Sequence, residues 1–271
     1  MASINERYIY MRKNTIGYKL WFLWQFARDD FKGKYVGSVL GSVWALVQPM
    51  ITILLYYFVF QLGFRSRPVE DMPFILWLVA GLIPWFYISD AVQGATSCLA
   101  EYSYLVKKVV FPVEILPLAR LISVGIVQIA LLIFTVVLFI LFGYTPNIYY
   151  LQIPLFMIYM LLFTAGIVYL TSAMYAYFKD TIQVVSIVVQ IAFWVTPFVW
   201  DQKMMPEGVV AVLPFNPVYY ILNGYRSAFI YGTFYMPGVK MTVYYWGVAV
   251  VLFLIGYRFF AKCRKHFADV L

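Results

Sequence analysis

The sequence predicts an all-α integral membrane protein with six transmembrane helices, and three observations predict it. Six stretches are apolar for about as long as the ~20 residues a helix needs to cross a hydrocarbon core ~30 Å thick. Hydrophobic residues make up 64% of the 271 residues and charged residues only 12%. A soluble domain carries about 25% charged residues, so this chain has too few to cover a water-facing surface. The apolar runs are also continuous. The strands of a closed barrel, the other structure that satisfies its backbone inside lipid, alternate apolar and polar side chains.

The elements follow in order. Residues 1–39 form a cytoplasmic N-terminus and interface helix; the first 34 are polar, charged and aromatic, and lack the apolar core and small-residue site of a cleavable signal. Within them the stretch YKLWFLWQFARDDFKGKY, residues 18–35, is amphipathic. Leu20, Trp21, Leu23, Trp24 and Phe26 form its apolar side, and Arg28, Asp29, Asp30, Lys32 and Lys34 crowd its end. Such a helix lies in the membrane interface rather than across it. It is either an anchor with interfacial Trp side chains or a docking helix whose charged end meets a cytoplasmic partner.

The spans are expected at residues 40–64, 74–92, 115–142, 151–178, 183–200 and 239–260, so that 40–260 form the membrane domain and 261–271 a cytoplasmic tail. Residues 121–143 hold one strongly polar side chain, Gln128. Pro49, Pro84 and Pro197 fall inside spans and should each kink or break a helix.

Two connections are not ordinary loop material. Residues 101–117, EYSYLVKKVVFPVEILP, mix aromatics, two lysines and two prolines. Tyr104, Leu105, Lys107, Lys108, Val109, Val110 and Phe111 offer an apolar knob with a basic edge, suited to a groove on a partner. The alternative is that they dip into the headgroup region. Residues 201–238 contain two short apolar pieces, 209–213 and 219–231, separated by prolines. Too short to span, they read as re-entrant or interfacial helices capping the outer mouth.

Orientation follows from Lys and Arg in the short loops. The N-terminal segment, Lys107, Lys108, Arg120, Lys179 and the tail place 15 of 20 basic residues on one side. Both termini are therefore expected in the cytoplasm. The net charge of +8 is mostly this topology signal, with some attraction to anionic lipid. Nucleic acid is not an expected partner, because the basic residues lie beside spans rather than on one soluble face.

The chain offers little catalytic chemistry. Gly33-Lys34 lacks the upstream glycine of a phosphate loop and is followed by Tyr35 instead of Ser or Thr. The only histidine is His266, near the C-terminus, which leaves no His cluster for zinc, and it reads as a solvated tail residue and not as the base of a triad. Glu101 and Glu114 flank a loop without the spacing of an acid–base pair. Cys98 and Cys263 are isolated, so no disulfide framework is expected. The protein reads as a membrane pathway whose energy comes from elsewhere. Aromatic residues form 21% of the chain, more than interfacial belts need. Sugar rings present apolar faces, so Tyr56, Tyr57 and Phe60 in the first span, with Phe193, Trp194, Phe198 and Trp200 in the fifth, are candidates to line a glycan pathway. Lipid contact or helix packing is the competing explanation for each. Phe139, in the evenly apolar third span, is expected to tolerate Leu.

In order and spacing, several motifs resemble the membrane subunit of bacterial ABC-2 type exporters of lipid-linked polysaccharides, the O-antigen and wall teichoic acid exporters. They are YVGSVLGSVWALVQP (35–49), GLIPWF (81–86), LVKKVVFPVEILPL (105–118), FKDT (178–181) and FNPVYYILNGYRSAF (215–229). The stretch 60–73 looks slightly more like the teichoic acid branch. The resemblance implies a homodimer in the bacterial cytoplasmic membrane, joined to two copies of a separate ATPase that binds ATP and Mg. It also implies a substrate carried on undecaprenyl diphosphate. The interface helix and the 101–117 loop would dock on the ATPase, with Arg28, Asp29, Asp30, Lys32, Tyr104, Leu105, Lys107, Lys108 and Phe111 as coupling residues. Two other classes compete: a small-molecule ABC-2 pump, and a membrane enzyme acting on lipid-linked sugars, which the lack of an acidic pair or His cluster disfavours.

Overall fold

The computed structural model describes residues 16–64, 72–107 and 112–271. Among these residues every element is helical. Eight helices organise the chain: α1 Ile16–Gly33, α2 Trp44–Tyr57, α3 Phe74–Thr96, α4 Ile115–Leu141, α5 Ile153–Tyr177, α6 Thr181–Val195, α7 Pro217–Arg226 and α8 Val239–Cys263. Among the described residues five helical runs are long and apolar enough to cross a membrane: Gly41–Gly63 around α2, Phe74–Thr96, Ile115–Leu141, Ile148–Tyr177 and Val239–Val270.

The expected fifth span is shorter than its apolar stretch. α6 has 15 residues, a rise of about 22 Å, and stops at Val195 just before Pro197. Proline removes a backbone donor and clashes with the preceding turn, so the chain leaves the helix here. Pro49 and Pro84, in contrast, stand inside α2 and α3 without ending them.

α3 is the centre of the bundle. Its sequence is largely apolar all round, as a helix surrounded by others should be, and most side chains from Phe74 to Thr96 are buried, with Asp90 exposed. α4, α5, α6 and α7 all pack against it. α6 instead exposes Val184, Ile187, Val188, Ile191 and Trp194 along one side, and α8 exposes Val243, Val250, Val251, Leu254 and Ile255. These unpartnered apolar faces belong to lipid or to another protein surface.

The most extensive helix pair is α5 with α8. Its closest approach lies between two glycines. A Cβ on Gly256 would stand 2.1 Å from the Gly166 carbonyl oxygen, and one on Gly166 would stand 2.6 Å from the Phe253 nitrogen. Small residues allow this backbone contact, the usual way membrane helices gain van der Waals energy.

The 201–238 connection holds short helices, as expected. Glu207–Val212 buries no side chain, whereas α7 buries most of its own, including Tyr220, Ile221, Leu222 and Tyr225. Asn216 starts α7: its Oδ1 accepts the Val218 N–H at 2.9 Å, and Pro217 follows at the first helical position, a favoured cap and start. Its Nδ2 donates to Thr196 Oγ1 at 2.8 Å, tying α7 to the break after α6. Gln128, the lone polar residue of its stretch, is buried and donates to the Tyr225 hydroxyl at 3.2 Å. The tail after α8 is packed as well: Phe267 is buried against Phe260, with ring centroids 5.2 Å apart.

Candidate functional site

Two constellations stand at opposite ends of α3. At its Phe74 end the aromatics form a connected ladder between α2 and α6. Tyr56 stacks on Phe193 at 5.5 Å between ring centroids, and Phe193 stacks on Phe198 at 5.8 Å. Trp85 of α3 touches both, at 5.6 and 5.0 Å. Phe60 joins Tyr56 at 6.4 Å and Phe74 at 6.4 Å, and Phe74 stacks on Trp77 at 5.7 Å. Offset and edge contacts at these separations add stability beyond area burial.

The ladder separates the sequence-predicted pathway residues into two layers. Phe193 and Phe198 are buried, at 6% and 0% exposure, and pack as core. Tyr56, Tyr57, Phe60 and Trp200 are half-buried, and Trp194 is 53% exposed. The Trp200 indole N–H donates to the Trp194 carbonyl at 3.0 Å. In this single chain, only the half-buried and exposed members are placed to meet a passing molecule. Phe193 and Phe198 are a correction to the sequence reading: they buttress the others. Phe139 is a second correction. It is fully buried and touches Phe229 and Tyr144 at 5.2 and 6.2 Å, so its replacement is not neutral.

Arg226 sits beside this ladder. Its guanidinium carbon lies 3.7 Å from the Trp77 ring centroid, and its Nη2 donates to the Phe198 carbonyl at 3.0 Å. The side chain is buried, its Nε has no partner, and among the described residues no carboxylate lies within ion-pairing distance. Gly81 leaves room for it; a Cβ there would approach Nη2 to 3.2 Å. An ionisable residue inside an apolar bundle is costly and marks function more often than not. The sequence leaves Arg226 among the five basic residues of the other side, and the signal that could have found it is its place inside the apolar piece 219–231.

The second constellation lies at the Thr96 end, around Arg120 near the start of α4. Its Nη2 pairs with Asp30 Oδ1 of α1 at 3.3 Å and with Glu101 Oε2 of the short helix Cys98–Glu101. Arg120 and Asp30 are 5% and 2% exposed and Glu101 is 45% exposed. The Tyr102 hydroxyl also donates to Asp30 Oδ1, at 2.7 Å. Burial, then that hydrogen bond to Asp30, raises the Tyr102 phenol above its ordinary range, so it stays a donor. Phe26 of α1 meets the Tyr102 ring edge-on at 5.1 Å. Glu114 is engaged too, with Arg264 of the tail at 3.2 Å. The two flanking glutamates are thus ion-pair partners.

The proposed coupling residues divide accordingly. Arg28, Asp29, Lys32, Tyr104 and Lys107 are exposed, and Leu105 is half-buried. Asp30 is buried and faces Arg120, so it holds α1 in place instead of offering a surface charge. Lys108, Val109, Val110 and Phe111 lie outside the described residues. What sequence reading missed is that α1 and the segment after α3 are joined. Arg120 was visible only as a charge just inside a span, and nothing in spacing pairs residues so far apart in the chain. Among the described residues no group of His, Cys, Asp and Glu could hold a metal ion.

The profile of one protein family, described as ABC-2 type transporter, matches residues 22–230. The chain is 27% identical over 260 residues to a Klebsiella pneumoniae protein named O-antigen export system permease protein RfbA, covering 96% of this chain and 98% of that one. A second Klebsiella pneumoniae protein of the same name is 26% identical over 260 residues, with the same coverage. A Myxococcus xanthus protein of that name is 25% identical over 242 residues, covering 89% of this chain and 91% of its own.

Proposed function

Because this chain belongs to the ABC-2 type transporter family, we propose that it is the transmembrane subunit of an ATP-driven exporter of a lipid-linked polysaccharide of O-antigen type. It is a multi-pass protein of the bacterial inner membrane. The observation that carries the reading is a likeness to O-antigen export permeases over almost the full length of both chains. The names of these relatives favour the O-antigen branch over the teichoic acid branch toward which residues 60–73 lean.

In this reading a separate ATPase, present in two copies, binds ATP and Mg and docks on α1 and the segment after α3. The Arg120 node supports that assignment, because it fastens both docking elements to α4. A push on α1 reaches the bundle through the buried Arg120–Asp30 pair, and a push on the segment after α3 through Glu101. Two copies of this chain face each other across the exposed sides of α2 and α6, and the aromatic layer of Tyr56, Tyr57, Phe60, Trp194 and Trp200 lines the path. Flat rings suit a glycan because they contact sugar C–H faces without binding any one residue of the polymer tightly. α6 with the 196–200 break forms the fifth of six spans, α7 caps its outer end, and both termini are cytoplasmic.

The test is genetic and chemical. Removing this chain from its host should abolish surface polymer while lipid-linked polymer accumulates inside the cell, and the wild-type chain should restore export. Full surface polymer without the chain ends the proposal.

A further inference from the structure

An apolar slot of about 350 Å³ lies between α4 and α5, with Trp24 of α1 at its edge. Leu121, Tyr87 and Met160 form its buried floor, at 0%, 4% and 1% exposure. Ile129, Ile158 and Trp24 form an open rim, at 53%, 58% and 50%. Gly125 opens the slot: the nearest atom to a Cβ placed there is Tyr87 Cε2, at 3.9 Å. The slot is therefore space that a missing side chain leaves on the face of α4. It follows α4 from Leu121 to Ile129, about 12 Å at 1.5 Å per residue.

Its position along the bundle is informative. Leu121 adjoins Arg120, whose ion pair with Asp30 marks the polar end. From there the slot runs into the apolar part. Trp24, Arg28 and Lys32 follow one another at four-residue spacing, so they share one stripe of α1. Arg28 and Lys32 are exposed. Asp29 is also exposed and neighbours Lys32 at three-residue spacing, which leaves the stripe net positive, and Asp30 is taken by Arg120. An apolar slot, an aromatic ring at its edge and two free-facing cations beyond it reproduce the order of a phospholipid: tail, glycerol region, anionic headgroup.

We propose that this slot holds an acyl chain of a membrane phospholipid whose anionic headgroup meets Arg28 and Lys32. The proposal rests on the membrane placement of the chain and not on the identity of the exported substrate. Each basic residue near an anionic headgroup favours it by about fivefold. A bound lipid would bridge α1 to α4 and α5, and so hold the charged end of α1 at a fixed height.

The test uses the full chain purified in mild detergent, with lipids added back and bound lipid counted by native mass spectrometry. Dioleoyl phosphatidylglycerol should be retained about 25-fold more tightly than dioleoyl phosphatidylcholine. Gly125→Phe, which fills the slot from its own wall, should abolish retention of both. Arg28→Gln with Lys32→Gln, at exposed positions that cannot unfold the bundle, should remove the preference and keep the weaker retention. Equal retention of the two lipids by the wild type overturns the proposal. So does unchanged retention in a Gly125→Phe protein that melts like its parent. Displacement of phosphatidylglycerol by undecaprenyl phosphate at far lower concentration would assign the slot to a prenyl chain, and also overturns it.

Discussion

Single side chains at the Phe74 end of α3 should separate pathway from packing. Trp194 is exposed and Phe198 fully buried, though both are aromatics of one short stretch. Trp194→Leu is expected to leave folding intact and lower surface polymer, because Leu keeps apolar area but lacks a flat face for a sugar ring. Phe198→Ala should cost about 3–5 kcal/mol through the cavity it leaves, read as a lower melting temperature in detergent. Phe142→Leu, on an exposed position at the end of α4, is the control. Equal export from Trp194→Leu and control, at matched protein levels, removes the aromatic path. Arg226 makes a different forecast. Its one carbonyl bond and the Trp77 face offset only part of the cost of burying a cation whose Nε is unpartnered. Replacing buried charge by apolar atoms of similar volume is often neutral or stabilising. Arg226→Met should therefore melt no lower than the parent while export falls. A drop of several degrees in melting temperature would show that the residue is held for stability alone.

At the scale of elements, two junctions decide how the helices sit. The Arg120 node joins α1, the segment after α3 and α4 through one guanidinium. Arg120→Met strands the Asp30 carboxylate in a buried site, a loss of about 3–5 kcal/mol. Adding Asp30→Asn removes the stranded charge and should recover much of that loss. If the double variant is as unstable as the single, the ion pair is not what joins the elements. The α5–α8 junction depends on backbone contact at Gly166 and Gly256. Because the atom facing the Gly256 Cβ position is backbone, no rotamer change makes room for Gly256→Ala, and the helices must separate. This single methyl should sharply lower the yield of folded protein, whereas Gly247→Ala, on the same helix with open space around its Cβ position, should not. Equal yields would contradict the close packing.

For the molecule as a whole, the division of labour is testable. No phosphate loop is present in the sequence, so the purified chain should hydrolyse no ATP, and hydrolysis should appear when the partner ATPase is added. Substantial hydrolysis by the contaminant-free chain would contradict the two-subunit reading. The arrangement explains why the apolar faces of α2, α6 and α8 are left exposed while α3 is enclosed. The central buried helix has the aromatic ladder toward one end and the charged node beyond the other.

Local sequence determined what depends on near neighbours. Span positions came from runs of apolar residues. The amphipathic pattern of residues 18–35 marked α1, and the residue inventory showed no phosphate loop. The aromatic candidates were identifiable as a set because they sit close together on two spans. What tertiary structure alone decided depends on contacts between distant residues. Composition cannot tell which ring of a cluster faces outward, so Phe193 and Phe198 differ from Trp194 only once α3 supplies Trp85 behind them. Asp30 resembled a surface charge until Arg120, ninety positions later, was found against it. Gly125 was one more small residue in an apolar span until Tyr87 and Met160 formed the floor of a slot beneath it. Inside a membrane the hydrophobic effect does not distinguish lipid from protein, so an apolar pattern fixes which residues cross but not which side they turn inward. That choice falls to shape, small-residue contact and the few buried charges, and these act only when the helices are assembled.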